Sequence, residues 1–138
     1  MNPIYTATAH ATGDGRNGHA RSDDGFVDFD LRIPKEMGGP GGATNPEQLF
    51  AAGYAACFQG ALGVVGRREG VDTSDSLVEA DVSIGPVAGG AYGLAVKLRV
   101  TIPGLDPERV RSLTEAAHLV CPYSNATRGN IDVTLEAG

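Results

Sequence analysis

Apolar and polar residues alternate with a period of two over 26–33, where FVDFDLRI sets Val27, Phe29, Leu31 and Ile33 against Asp28, Asp30 and Arg32. That pattern predicts a half-buried strand. Its expected partner is a weakly alternating strand over 4–11, joined to it across the glycine turn GDGRNG. Two further alternating segments, LVEADVSI (77–84) and GLAVKLRVTI (93–102), flank a Gly-Pro-Val-Ala-Gly-Gly turn and predict an antiparallel hairpin. A last strand, IDVTLEA, closes the chain.

Between these the period lengthens to that of a helix. Over 46–68 the residues Leu49, Phe50, Gly53, Tyr54, Cys57, Phe58, Ala61, Leu62 and Val65 recur three and four apart, which predicts a long helix with one apolar stripe. Asn45 is placed to cap it, with Pro46 in the first position and Glu47 in the first turn. The preceding stretch, PKEMGGPGGATNPEQ, is too rich in glycine and proline for regular structure and reads as a loop. A second helix, DPERVRSLTEAAHLV, opens at Asp106 and buries Val110, Leu113, Ala117 and Val120. Pro122 ends or kinks it just after Cys121, and YSNATRGN follows as a polar connector. The order β-β-α-β-β-α-β indicates an α+β fold, and 138 residues fit one domain, 1–138.

Composition narrows the function. A net charge of −6 and a pI of about 4.9 argue against a nucleic-acid partner, which requires clustered Lys and Arg. The N-terminus carries no basic leader, and no apolar run is expected to reach the roughly 20 residues of a membrane span. A cytoplasmic protein without a membrane anchor is therefore expected. The Ala- and Gly-rich long helix is suited to close packing against a second copy, so a homodimer is expected. In a reducing cytoplasm, a pair of cysteines is more often catalytic, redox-sensing or metal-binding than a permanent staple.

The pair is Cys57, on the apolar stripe, and Cys121, at the helix break beside Pro122, Tyr123, Ser124 and Asn125. If both are functional, one attacks and the other resolves the product as a disulfide. An attacking thiol must ionise, whereas a free cysteine with a pKa near 8.5 is only about 3% thiolate at pH 7. A nearby cation is required, and Arg16 in the GDGRNG turn, Arg67, Arg68 and Arg128 are the choices. Glu47 is the acid available to partner such an arginine, but ten helical residues rise about 15 Å, so it cannot touch Cys57 along a straight helix. The arginine must then fold over the helix, or the acid must come from another protomer. GDGRNG matches G-x-G-x-x-G, yet HARSDDG after it opens a turn and no helix, so a dinucleotide site is not expected. His118 and Cys121, three apart, lack the ligand density of a metal motif, even with His10, His19 and Cys57 added. No cofactor and no metal are expected.

TNPEQLFAAGYAACF followed by VCPYSNATRGNIDV strongly resembles the organic hydroperoxide resistance proteins of the wider OsmC-like superfamily, over essentially the full chain. The resemblance implies an OsmC-like fold with antiparallel sheets and a long central helix, assembled as an intertwined homodimer with active sites at the protomer interface. It also implies reduction of organic hydroperoxides, with recycling by a dithiol, notably a lipoyl group on a partner protein. By the same resemblance Cys57 is the peroxidatic cysteine, Cys121 the resolving one, Arg16 the activating arginine and Glu47 its carboxylate partner. The family turn usually reads Gly-Gly-Arg, whereas this chain has Asp14-Gly15-Arg16, which adds an acid that competes for the arginine. Met37, Phe50, Phe58 and the loop 38–42 are the apolar groups expected to receive an alkyl chain. The alternatives are the broader-substrate osmotically inducible branch, a non-catalytic redox sensor and a dimer that binds an apolar ligand.

Overall fold

Glycines in the left-handed region at Gly13, Gly15 and Gly25 turn the first 30 residues back on themselves. In the computed structural model, which describes residues 1–138, the result is three short strands: β1 (Ala9–Thr12), β2 (His19–Ser22) and β3 (Asp28–Asp30). They pair antiparallel in the order β1-β2-β3. This differs from the expected pairing of 4–11 with 26–33. β2 lies in what read as the second half of a turn, and it, not β1, is the partner of β3.

Side-chain charge shows why that register is preferred. His19 stands across from Asp30, and its ring nitrogens meet the carboxylates of both Asp30 and Asp28. The polar face of 26–33 thus has its partners, while Val27 and Phe29 on the other face stay exposed and only Leu31 is buried. The loop after β3 contains one 3-10 turn, Lys35–Met37, closed by left-handed Gly38. Its end returns to the strand region, where the Arg32 N–H donates to Thr44 O at 2.9 Å. The chain forms two compact units, Met1–Leu49 and Phe50–Gly138.

The long stripe folds as α1 (Pro46–Glu69). Asn45 caps it as expected, its Oδ1 accepting from the Gln48 N–H at 2.9 Å. Tyr54, Phe58, Ala61, Leu62 and Val65 are its buried apolar face. An 18-residue window of this helix reaches a mean hydropathy of 1.5, so by length and composition α1 is long and apolar enough to cross a membrane. The expectation that no run would be so long is corrected. Its stripe is nonetheless spent on a protein core.

Against that stripe pack β4 (Leu77–Pro86) and β5 (Tyr92–Thr101), the predicted antiparallel hairpin, and β6 (Val133–Ala137), which runs parallel to β5. Val96, Leu98 and Val100 of β5 supply the sheet's share of the core. α2 (Pro107–Val120) supplies Val110, Leu113 and Ala117, and Asp106 Oδ1 caps it by accepting from the Glu108 and Arg109 N–H groups. YSNATRGN, expected as a connector, holds a further helix, α3 (Pro122–Thr127). Pro122 both stops α2 and starts α3, because a proline is as well suited to the first position of a helix as it is unsuited to the interior. The fold is α+β, with the observed order β-β-β-α-β-β-α-α-β.

Gly66 records how closely α1 lies on the loop that follows it. A Cβ there would stand 2.7 Å from Thr73 Cγ2 and 2.8 Å from Val71 O. Alanine gains about 1 kcal/mol in helix propensity over glycine, but overpacking against a backbone oxygen costs about 1–3 kcal/mol. Gly66→Ala is therefore expected to lower stability by up to about 2 kcal/mol in urea unfolding; a raised midpoint would show that residues 71–73 yield freely.

Candidate active site

In the second unit the two cysteines meet. α1 brings Cys57 to the flank of its buried stripe, half-buried, and the end of α2 carries Cys121, which has no exposed surface. Their sulfurs are 3.6 Å apart and both are free thiols. A disulfide requires about 2.05 Å, so bond formation asks only for a closing movement of about 1.5 Å. Cys121 is at once the C-cap of α2 and the N-cap of α3, in extended backbone conformation, and its N–H still donates to Ala117 O.

Electrostatics at Cys57 run against activation. Burial pushes its thiol up from the ordinary value, a backbone hydrogen bond from Tyr123 pulls it down, and the neighbouring Cys121 raises it again. The thiol is thus the favoured form at neutral pH unless a positive charge joins the site. Of the four arginines considered from sequence, Arg128 is already committed: its guanidinium donates to Asn125 Oδ1 and to His118 O. Arg67 lines a cavity of about 590 Å³ with Gln59, Asp72 and Thr73.

Around the thiols lies a buried polar cluster that sequence reasoning missed. The Tyr54 hydroxyl is 2.9 Å from Ser124 Oγ and 3.0 Å from Thr127 Oγ1, and His118 Nδ1 is 2.8 Å from Ser124 Oγ. Tyr54, Ser124 and Thr127 are buried. Burial first, then the charge of Arg128, lower the His118 pKa and favour a neutral ring. The signal was available: Ser124 and Thr127 are three apart directly after a proline, the spacing of one face of a helix. Phe50, Tyr54 and Tyr123 form an aromatic group with ring centres 5.7–6.1 Å apart. Phe58, expected to line a substrate site, is wholly buried in the core and backs the region from behind.

In the first unit Arg16 and Glu47 form a two-pronged ion pair. Arg16 Nη1 donates to Glu47 Oε2 at 2.8 Å and Nη2 to Oε1 at 2.7 Å, the paired geometry that suits guanidinium and carboxylate. Arg16 stands on a 3-10 turn, Gly15–Asn17, that begins just after the left-handed Gly13. The extra acid, Asp14, does not take the arginine. The turn is tied down on its far side: Asn17 Oδ1 accepts from the Ile33 N–H at 3.0 Å, and Arg32 Nη1 donates to Asn17 O and Gly18 O. Arg32 is a second residue overlooked in the sequence. Met37 is exposed on its own 3-10 turn in this unit.

Comparison with known proteins places these residues in context. Residues 39–136 match the model of the OsmC-like protein family. The chain is 52% identical over 134 residues to an organic hydroperoxide resistance protein of Xanthomonas axonopodis pv. citri, an alignment covering 96% of this chain and 93% of that relative. Among solved structures, an organic hydroperoxide resistance protein of Legionella pneumophila superposes with a TM-score of 0.93 at 47% identity, covering 98% of each chain. Another, from Elizabethkingia anophelis with thiocyanate bound, gives a TM-score of 0.93 at 50% identity, covering 99% of this chain and 97% of that one.

The Arg16–Glu47 pair has a definite pH signature. The hydrogen bonds from Arg16 hold the Glu47 carboxyl below its ordinary value. The stabilisation is therefore complete above the unfolded carboxylate value of about 4.3 and is lost as pH falls through the lower folded value. The Arg16 guanidinium proton resonances should move across that acid window in the wild type and stay still in Glu47→Gln; a wild type that shows no movement would mean the pair is not formed in solution.

Proposed function

The chain belongs to the OsmC-like protein family, among the organic hydroperoxide resistance proteins, and from that premise we propose that it is a two-cysteine thiol peroxidase acting on organic hydroperoxides. The observation that carries this reading is the 3.6 Å approach of a half-buried Cys57 to a sealed Cys121. The Cys57 thiolate attacks one peroxide oxygen, the O–O bond breaks, and the alkoxide leaves and takes up a proton as alcohol. The Cys57 sulfenic acid then condenses with the Cys121 thiol, releasing water and forming the disulfide. An external dithiol restores both thiols by two successive exchanges; a lipoyl group on a partner protein is the proposed source.

Arg16 is the proposed activator. A guanidinium offers five donors, and the pair with Glu47 uses two, which leaves others for thiolate and departing alkoxide. Glu47, the more deeply buried of the two, keeps that charge partnered. Met37 and Phe50 are the proposed apolar contacts of the alkyl group, while Phe58 is wholly buried in the core of the second unit. The proposed setting is a cytoplasmic homodimer without metal or cofactor.

Turnover separates a catalyst from a redox sensor. Wild-type protein with dihydrolipoamide should consume many equivalents of cumene hydroperoxide, Cys57→Ser none, and Cys121→Ser one, stalling as a sulfenic or overoxidised acid visible by intact mass. Reaction limited to one equivalent in the wild type would reject catalysis in favour of sensing. Hydrogen peroxide should be the poorer substrate; equal kcat/KM for both would remove the claim of organic preference.

A further inference from the structure

α3 is six residues long, too short to persist on its own hydrogen bonds, yet it adjoins both thiols. Cys121 opens the helix and its carbonyl accepts from the Asn125 N–H, while the Tyr123 N–H bonds to Cys57. α3 is held to α1 partly by rings, Tyr123 lying against Phe50 and Tyr54, and partly by hydroxyl groups. The side chains it buries are Ser124 and Thr127, which share one face. Tyr54 of α1 sets its hydroxyl within hydrogen-bond distance of both. Tyr54 lies three residues before Cys57, on the same side of α1. Its ring is fixed by Phe50 and Tyr123, so the hydroxyl has no freedom to withdraw.

We propose that Tyr54 is a positioning residue for disulfide closure: its hydroxyl pins α3 to α1 and so sets the gap across which Cys121 reaches Cys57. The proposal rests on Cys57 and Cys121 being the redox pair and adds a residue to that machinery. Tyr54 acts through α3, not on peroxide. A sulfenic acid that waits for its partner is open to a second oxidation, so the pin governs how often Cys57 is rescued and how often it is lost.

Tyr54→Phe retains the ring and removes the hydroxyl, and a glutathione redox buffer measures the pair without any peroxide. The balance is dithiol plus oxidised glutathione against disulfide plus two reduced glutathiones. Without the pin, the effective concentration of Cys121 at Cys57 should fall by about tenfold, the factor that a neutral hydrogen bond corresponds to. Thr127→Val, which removes one of the two partners and keeps its shape, should shift the same equilibrium in the same direction by a smaller factor, and it decides the matter alone if Tyr54→Phe does not fold. With cumene hydroperoxide, first-step oxidation of Cys57 should stay within about twofold of wild type while the overoxidised fraction rises. A glutathione equilibrium unchanged in the folded variants, or a first step slowed as much as closure, overturns the proposal. Failure of the wild type to turn over cumene hydroperoxide would reject the peroxidase reading instead, leaving the glutathione result to decide the pin.

Discussion

Burial opposes ionisation at Cys57, and the site is organised around that opposition. The cysteine sits on the flank of the helix stripe that forms the core, and the packing that holds it in place also raises its pKa. One backbone N–H, from Tyr123, works the other way. A thiol in such a place is stable, unreactive and accurately positioned. Ionisation there is opposed by the same packing that gives the thiol its place.

The second unit supplies position. Cys121 is where α2 ends and α3 begins, and an extended residue between two helices is a sharper locator than a residue within either. The polar cluster of Tyr54, Ser124, Thr127 and His118 is fully hydrogen-bonded, with no buried side-chain polar atom left unpartnered in the chain. Satisfied networks of this kind specify one arrangement where apolar contacts would accept several. The first unit is organised around an ion pair. Arg16 and Glu47 are paired on a turn whose entry is glycine and whose exit is tied by Asn17 and Arg32.

Periodicity made the second unit legible and the first only partly so. α1, α2 and the β4–β5 hairpin each extend over ten residues or more, long enough for a repeat of 3.6 or 2 to declare itself. β1, β2 and β3 have three or four residues, within which no period can be counted, and their register is set by His19 between two aspartates, a pairing between distant residues. α3 was hidden because its buried face is Ser and Thr, which read as solvent-facing in a linear pattern. The cysteine pair and Glu47 stood out from the residues themselves, whereas the choice of Arg16 came from motif resemblance. Spacing alone left four arginines in contention.

The unequal burial of the two sulfurs gives the pair a direction. Cys121 has no exposed surface, so under the proposed mechanism its partner is what Cys57 carries. Cys57 retains some access, although its partial burial raises its pKa. Had both been exposed, either could be oxidised first and the sulfenic acid would form at random; had both been sealed, neither could meet a peroxide. The 3.6 Å gap lies between those cases, since it is close enough for condensation and too wide for a bond without movement. An arrangement of that kind is costly to maintain by apolar packing, which is tolerant of small slips. It is better kept by hydroxyl groups whose bonds fail within a few tenths of an ångström.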